Sequence, residues 1–96
     1  MNVYLIETGG LSNIDNKFHF HEKEIFTSQK AVDFYLKTSM ECNKATNIEI
    51  EEDKYCFHRG EKNRKVITYE CMSADEEPRL MKIRLVISKI EPTSTY

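Results

Sequence analysis

Hydrophobic residues between positions 25 and 40 recur at spacings of three and four, as they do along one side of an α-helix. Two rows form this stripe: Ala31, Phe34, Tyr35 and Thr38, with Val32, Leu36 and Met40 beside them. Thr27 and Ser28 precede the stripe, and each has a hydroxyl group that can accept a hydrogen bond from a free N–H of the first turn. The pattern predicts one amphipathic helix.

The remaining segments alternate with a period of two, which is typical of β-strands. Strands are predicted at residues 2–8, 18–26, from 48 onward, 64–72 and 79–90. Gly9-Gly10 is expected to end the first strand, and residues 59–63 are expected to form a hairpin turn. In the last strand, Ile83, Leu85 and Ile87 are predicted to face the core.

This order predicts an α+β fold, in which a single amphipathic helix packs on one face of a mainly antiparallel sheet of about five strands (β-β-α-β-β-β). The 96 residues are expected to form one domain, 1–96. Pro92 should end the last strand and leave residues 91–96 as a frayed tail.

The charge pattern argues against a dedicated nucleic-acid binder. Residues 1–48 contain 5 basic and 6 acidic side chains, and residues 49–96 contain 9 and 10. Nucleic-acid binders usually have a strongly basic face. Because no apolar run approaches the roughly 20 residues of a membrane span, and the N-terminus lacks a signal-peptide pattern, a cytoplasmic location without membrane contact is expected. The three cysteines fit reduced thiols there.

Histidine and cysteine provide a candidate metal site. His19 and His21 lie two apart on a predicted strand, and with Lys23 they are expected on the face opposite Phe18, Phe20 and Glu22. Cys56 or His58 could supply further ligands, since zinc needs three or four. The spacing matches no metal-finger motif, so a solvated strand face is the favoured interpretation.

Acidic side chains cluster twice, and tyrosines lie on the neighbouring strands. Such clusters are usually solvated, but they can also form a negative surface that meets a basic partner. The candidate partner-binding residues are Glu51, Glu52, Asp53, Tyr55, Tyr69, Asp75, Glu76 and Glu77. This pattern favours a protein partner.

Basic side chains in the hairpin and last strand offer a nucleic-acid alternative, with Tyr55 and Tyr69 as stacking surfaces. The candidates are Arg59, Lys62, Arg64, Lys65, Lys82 and Arg84. Acids lie between these positions, and lysine on an outer strand commonly prevents edge pairing. In this alternative, the sheet face would bind single-stranded nucleic acid.

The chain has no phosphate loop, dinucleotide fingerprint or nucleophile elbow, so neither an enzyme nor a cofactor is expected. A turn centred near residues 61–62 would place Cys56 opposite Val66 or Ile67. Cys56 would then be too far from Cys71 for a disulfide. Free thiols are therefore expected.

The first 40 residues resemble a pattern found in small uncharacterised proteins of bacteria, phages and mobile elements. The matching residues are Val3-Tyr4-Leu5-Ile6 and Ile25-Phe26-Thr27-Ser28 through Ala31. The resemblance implies the strand-strand-helix fold but no catalytic residues. It also suggests a phage or mobile-element protein that acts on a host defence protein.

Together these observations predict a small non-enzymatic module that binds another macromolecule, most simply a protein. Edge strands of a short chain can also pair with a second copy, so a homodimer through an edge strand is an alternative. The nucleic-acid and metal interpretations remain open beside it.

Overall fold

A computed structural model describes residues 3–53 and 62–90, and the side chains at positions 52, 53, 62, 63 and 90 lie outside that description. The elements are β1 (Val3–Leu11), β2 (Phe18–Phe26), α1 (Gln29–Cys42), β3 (Thr46–Asp53), β4 (Lys62–Met72) and β5 (Leu80–Ile90). The five strands form one sheet in the order β2-β1-β5-β4-β3, with antiparallel neighbours throughout. The predicted α+β class and element order are confirmed.

The helix begins after Ser28, whose backbone is extended and whose Oγ accepts a hydrogen bond of 3.1 Å from the Ala31 N–H. Ser28, and not Thr27, is therefore the N-cap. At the other end, Asn43 caps the helix with its own N–H bonded to the carbonyls of Ser39 and Glu41. These caps satisfy backbone groups that a helix end leaves without intrahelical partners.

The core lies between α1 and the sheet. Val32 and Leu36 supply its helical side, and Phe26 and Tyr35 pack at its margin with ring centroids 5.2 Å apart. The strand residues of this cluster come from β1, β4 and β5: Tyr4, Ile6, Ile67, Tyr69, Cys71, Leu85 and Ile87. The predicted inward direction of Leu85 and Ile87 is confirmed. Phe34, however, is 72% exposed, because the helix turns its Val32–Leu36 row toward the sheet.

The first strand does not end at Gly9-Gly10, as expected, but continues to Leu11. A Cβ at Gly9 would lie 2.4 Å from the carbonyl oxygen of His19 on β2, so only glycine lets the two backbones approach this closely. The pairing shifts here from Thr8–Glu22 to Gly9–Phe20, which leaves His21 as the extra residue of a β-bulge. The glycine thus belongs to the strand.

The β3–β4 hairpin has a different register from the predicted one. Val66 and Ile67, which the predicted turn would place opposite Cys56, pair with Glu51 and Ile50. Cys71 is a buried free thiol, and Cys42 is an exposed one. Cys56 itself lies outside the described residues.

Candidate binding surfaces

One face of the sheet is covered by α1. The second face is not covered by any described element and is here called the open face. Strand pairing assigns side chains to it. Gly9 pairs with Phe20 on one side and Arg84 on the other, and Arg84 pairs with Thr68. In the next row, Glu7 lies between Lys23 and Val86. Because partners in an antiparallel pair project to the same side, all of these positions share one face.

The bulge at His21 changes which β2 residues reach the open face. Lys23 joins Phe18 and Phe20 there, whereas Glu22 pairs with Thr8 on the covered face. The predicted grouping of Glu22 with the two phenylalanines and of Lys23 with the histidines is therefore wrong. An extra residue reverses the alternation of every residue beyond it.

Arg84 is held in place by two contacts on the open face. Its guanidinium carbon lies 3.9 Å from the centroid of the Phe18 ring, and its Nε–H donates a hydrogen bond of 3.1 Å to Thr68 Oγ1. β1 lies between the strands of Phe18 and Arg84, and Gly9 offers no side chain in the way. A guanidinium over an aromatic face is attracted by the ring quadrupole.

A groove of about 300 Å³ lies beside this pair. Its lining consists of Phe20, Glu51, Arg64, Val66, Arg84 and Val86. Two valines, one phenylalanine and three charged groups therefore line a single depression in the open face. Small-ligand sites combine apolar surface with a few placed polar groups, and in this groove half of the lining residues are charged.

Edge strand β3 presents a second surface. Ile48 and Ile50 are 46% and 54% exposed, and Ile50 lies opposite Ile67 on the covered face of the sheet. Glu49 and Glu51 alternate with them, pair with Thr68 and Val66, and project from the open face. The core cluster takes its strand residues from β1, β4 and β5, so α1 leaves these isoleucines at the rim.

The two acidic clusters that the sequence suggested lie in different places. Asp75, Glu76 and Glu77 are exposed in the turn between β4 and β5, which a Ser73 N–H to Arg79 carbonyl hydrogen bond of 2.8 Å closes. Glu51 is opposite Val66, seven residues before that turn. At about 3.3 Å per residue, the clusters are about 20 Å apart. They do not form one patch.

Tyr69, predicted as a partner-binding and stacking residue, is buried. Only 2% of it is exposed, on the covered face, and its hydroxyl accepts a hydrogen bond of 3.0 Å from Asn43 Nδ2. Burial raises the pKa of Tyr69, and the hydrogen bond from Asn43 partly opposes that change. Its ring is therefore unavailable for stacking or partner contact. Tyr55 and the side chains of Glu52 and Asp53 lie outside the described residues.

The basic candidates also divide between the two faces. Arg64, Lys82 and Arg84 belong to the open face, whereas Lys65 pairs with Ile87 on the covered face. Arg59 and the side chain of Lys62 lie outside the described residues. Phe18 and Phe20, which the sequence analysis did not consider as ring surfaces, lie beside the basic residues. Their spacing of two along a strand was the signal that they share a face.

The histidines are not arranged as a metal centre within the described residues. His19 Nε2 lies 2.7 Å from Asp15 Oδ2, while His21 approaches the His19 carbonyl oxygen at 3.4 Å. Desolvation raises the pKa of Asp15. The hydrogen bond from His19, the Lys17 N–H and the charge of His19 lower it by more, so the pKa lies below its ordinary value. In the described part of the chain, no three His, Cys, Asp or Glu side chains are grouped to hold a metal ion. Cys56 and His58 lie outside it.

A cleft of about 220 Å³ between the end of α1 and the sheet includes a cysteine beside polar groups. Cys71, His21, Ser39, Asn43 and Tyr69 are among its lining residues. Burial raises the pKa of the Cys71 thiol, which favours its protonated and unreactive form. This chemistry does not favour nucleophilic catalysis at Cys71.

Among the residues that the structure describes, no helix has the length and apolar character that spanning a membrane requires. Comparison of the chain with protein-family models, curated proteins and solved structures gave no match.

Proposed function

We propose that this protein is a non-enzymatic binding module that adds an extended, basic segment of a partner protein to edge strand β3. The observation that supports this proposal is the alternation of exposed Ile48 and Ile50 with Glu49 and Glu51 on that strand. An edge strand offers a row of backbone N–H and C=O groups to an incoming chain. Strand addition uses these groups for affinity and the alternate side chains for specificity.

The side-chain pattern specifies the partner's chemistry. A strand paired with β3 would place every second side chain beside Ile48 and Ile50 and the intervening ones beside Glu49 and Glu51. Apolar side chains suit the first set, and lysine or arginine suits the second, because opposite charges across a strand pair are favourable. The expected partner segment therefore alternates basic and β-branched residues.

A second copy of this chain suits β3 less well. Antiparallel pairing of β3 with itself would place Glu49 and Glu51 opposite the same carboxylates, and like charges in that position are destabilising. The other edge, β2, has the His21 bulge and side chains of both signs, Glu22, Lys23 and Glu24. Bulges and charges are features that protect an edge from pairing. β3 also has a register shift, but it lies between Thr46 and Glu49, before the regular pairing of Glu49, Ile50 and Glu51. The proposal is thus a heteromeric complex through β3.

The resemblance of the first 40 residues to phage and mobile-element proteins bears on the source of the partner. On that ground we extend the proposal to a bacterial host protein, with a defence protein as the first class to test. A cytoplasmic location would bring the two together.

The direct test uses two defined peptides of eight residues, one alternating lysine with valine and one alternating glutamate with valine. Binding is measured by fluorescence anisotropy at low salt, and the contact site by amide chemical shifts. We expect the lysine peptide to bind with shifts centred on β3. The double variant Glu49→Lys/Glu51→Lys should lose at least about tenfold in affinity for it, a change of about 1.4 kcal/mol, and gain affinity for the glutamate peptide.

The matched control is Glu22→Lys/Glu24→Lys, which makes the same charge change on the opposite edge strand. It should leave the affinity for the lysine peptide within about twofold, a difference of less than about 0.5 kcal/mol. Equal losses in both double variants would mean that overall charge, and not β3, governs binding. A stable dimer in light scattering that dissociates on adding the lysine peptide would assign β3 to self-association instead.

Nucleic-acid binding is the second candidate function, and a specific observation favours it. Arg64 and Arg84 share the open face with Phe18 and Phe20, and single-stranded nucleic acid is bound by aromatic and basic side chains in combination. Glu7, Glu49, Glu51 and Glu70 also occupy this face, so its charge is balanced. A salt-dependent affinity for an oligonucleotide that Phe20→Ala abolishes would support this second candidate over the first.

A further inference from the structure

The groove in the open face combines three kinds of surface that act on different parts of a ligand. Val66 and Val86 supply an apolar surface, and Phe20, 39% exposed, supplies an aromatic one. Arg64 and Arg84 line the same depression, and their guanidinium groups recognise planar or tetrahedral anions through paired N–H donors. A flat ring and an anionic group are the two ligand parts that these surfaces fit.

Arg84 is oriented before any ligand arrives. Thr68 is only 6% exposed and accepts the Nε–H hydrogen bond, while the Phe18 ring lies against the guanidinium. Of the five N–H donors of an arginine, the four on the terminal nitrogens do not take part in this hydrogen bond. Holding a flexible side chain in position lowers the entropy lost when it binds an anion.

The volume of the groove limits the size of its ligand. About 300 Å³ is at the lower end of the range for small-molecule sites, which extends from about 300 to 1,000 Å³. Such a space suits one ring system with one anionic group better than a dinucleotide. Glu51 also lines the groove, and its carboxylate can accept a hydrogen bond from an amino or hydroxyl group of the ligand.

We propose that this groove binds a small molecule in which a planar ring is joined to a single phosphate or carboxylate group, such as a nucleoside monophosphate. The ring lies against Phe20 over the valines, and the anionic group is bound by Arg64 and Arg84. This site shares Glu51 with the β3 edge proposed above, but it depends on Arg64 and Arg84, whereas the edge depends on Glu49 and Glu51.

The test is a titration of the full chain with adenosine monophosphate, adenosine and inorganic phosphate, followed by amide chemical shifts and calorimetry. Adenosine monophosphate should bind at least about tenfold more tightly than either part alone, since both halves of the groove contribute, and tenfold is about 1.4 kcal/mol. The shifts should centre on Phe20, Val66, Arg84 and Val86.

Arg64→Gln is the informative variant because Arg64 is exposed, so the change is not expected to affect folding. It should weaken adenosine monophosphate binding about tenfold and leave adenosine binding unchanged. Arg79→Gln, an exposed arginine outside the groove, is the control and should change neither.

Three outcomes would overturn the proposal. Equal binding by wild type and Arg64→Gln would exclude a role for the Arg64 guanidinium group. Shifts centred away from the open face would place the ligand elsewhere. A six-nucleotide DNA strand that binds more than about a hundredfold more tightly than the mononucleotide, a difference of about 2.7 kcal/mol, would show that the groove is one part of a single-strand interface.

Discussion

The side chain of Asn43, at the C-cap of α1, donates a 3.0 Å hydrogen bond to the hydroxyl oxygen of Tyr69 in β4. This bond joins the end of the helix to the sheet at a site where Tyr69 is 2% exposed. A tyrosine buried this deeply needs a partner for its hydroxyl group. The bond therefore anchors the end of α1 to the sheet and satisfies the buried hydroxyl group of Tyr69.

We expect Asn43→Ala to lower the free energy of unfolding by about 1–3 kcal/mol, because it leaves the buried hydroxyl without this donor. Tyr69→Phe removes the buried hydroxyl group itself, so no hydroxyl is left without a partner, and it should cost only about 0.5–1.5 kcal/mol. The double variant should lose less unfolding free energy than the two single variants lose together, as measured by urea unfolding. Asn13→Ala, in the exposed β1–β2 loop, is the control and should stay within about 0.5 kcal/mol of wild type.

The two adjacent glycines of β1 should respond differently to the same substitution. A Cβ at Gly9 would meet the His19 carbonyl oxygen at 2.4 Å, whereas at Gly10 the nearest atom is Ile83 Cδ1 at 3.8 Å. Gly9→Ala should therefore cost about 1–3 kcal/mol or more, since backbone must move. Gly10→Ala should be neutral or stabilise by up to about 1 kcal/mol, through the unfolded state. Thermal unfolding of both variants compares them, and equal effects would contradict the close approach at Gly9.

Element order could be read from the chain because strong local signals agreed with one another. Period-two alternation defined β2, β4 and β5, and the Ser28 cap followed by a helical stripe defined α1. The end of β1 was missed because Gly9-Gly10 is a turn signal by local rules. Glycine is necessary there because the backbone of His19 in β2 approaches Gly9 closely. No local pattern contains that information.

The candidate site was less accessible to sequence reasoning, for two physical reasons. A β-bulge adds one residue and reverses the faces of all that follow, so the prediction for Lys23 and Glu22 failed. Burial of Tyr69 depends on which side of β4 the helix covers, and both sides of that strand contain hydrophobic residues. Without the register, the shared face of Phe20, Arg64 and Arg84 was not visible.

The helix stripe offers a direct comparison of a buried and an exposed hydrophobic residue. Leu36 is 5% exposed in the core, and Phe34 is 72% exposed, although both fit the helical period. Leu36→Ala should cost about 2–5 kcal/mol, because it removes packed methyl groups and leaves a cavity. Phe34→Ala should change stability by no more than about 0.5 kcal/mol. A large loss for Phe34→Ala in urea unfolding would mean that a partner surface or a second copy covers that ring.

Thiol reactivity should separate the two described cysteines. Cys42 is exposed and Cys71 is buried, with a pKa that burial raises. We expect Cys42 in a Cys56→Ser/Cys71→Ala variant to react with an aromatic disulfide reagent at the rate of a free thiol. Cys71 in a Cys42→Ser/Cys56→Ser variant should react at least about a hundredfold more slowly, since it requires local opening. Both should react equally in urea, which would show that the fold protects Cys71.

The same burial makes the fold sensitive to alkaline pH. The pKa values of Cys71 and Tyr69 are both raised in the folded state, from ordinary values of 9.0 and 10.0. Below pH 9 both groups hold their protons in the folded and unfolded chain, so stability is unaffected. Above it, the unfolded chain loses these protons first, which favours unfolding. Urea midpoints should therefore fall between pH 9 and 11, and Cys71→Ala should fall less steeply than Cys42→Ala, which retains the buried thiol. Identical slopes for the two variants would mean that the Cys71 thiol ionises as readily in the folded chain as in the unfolded one.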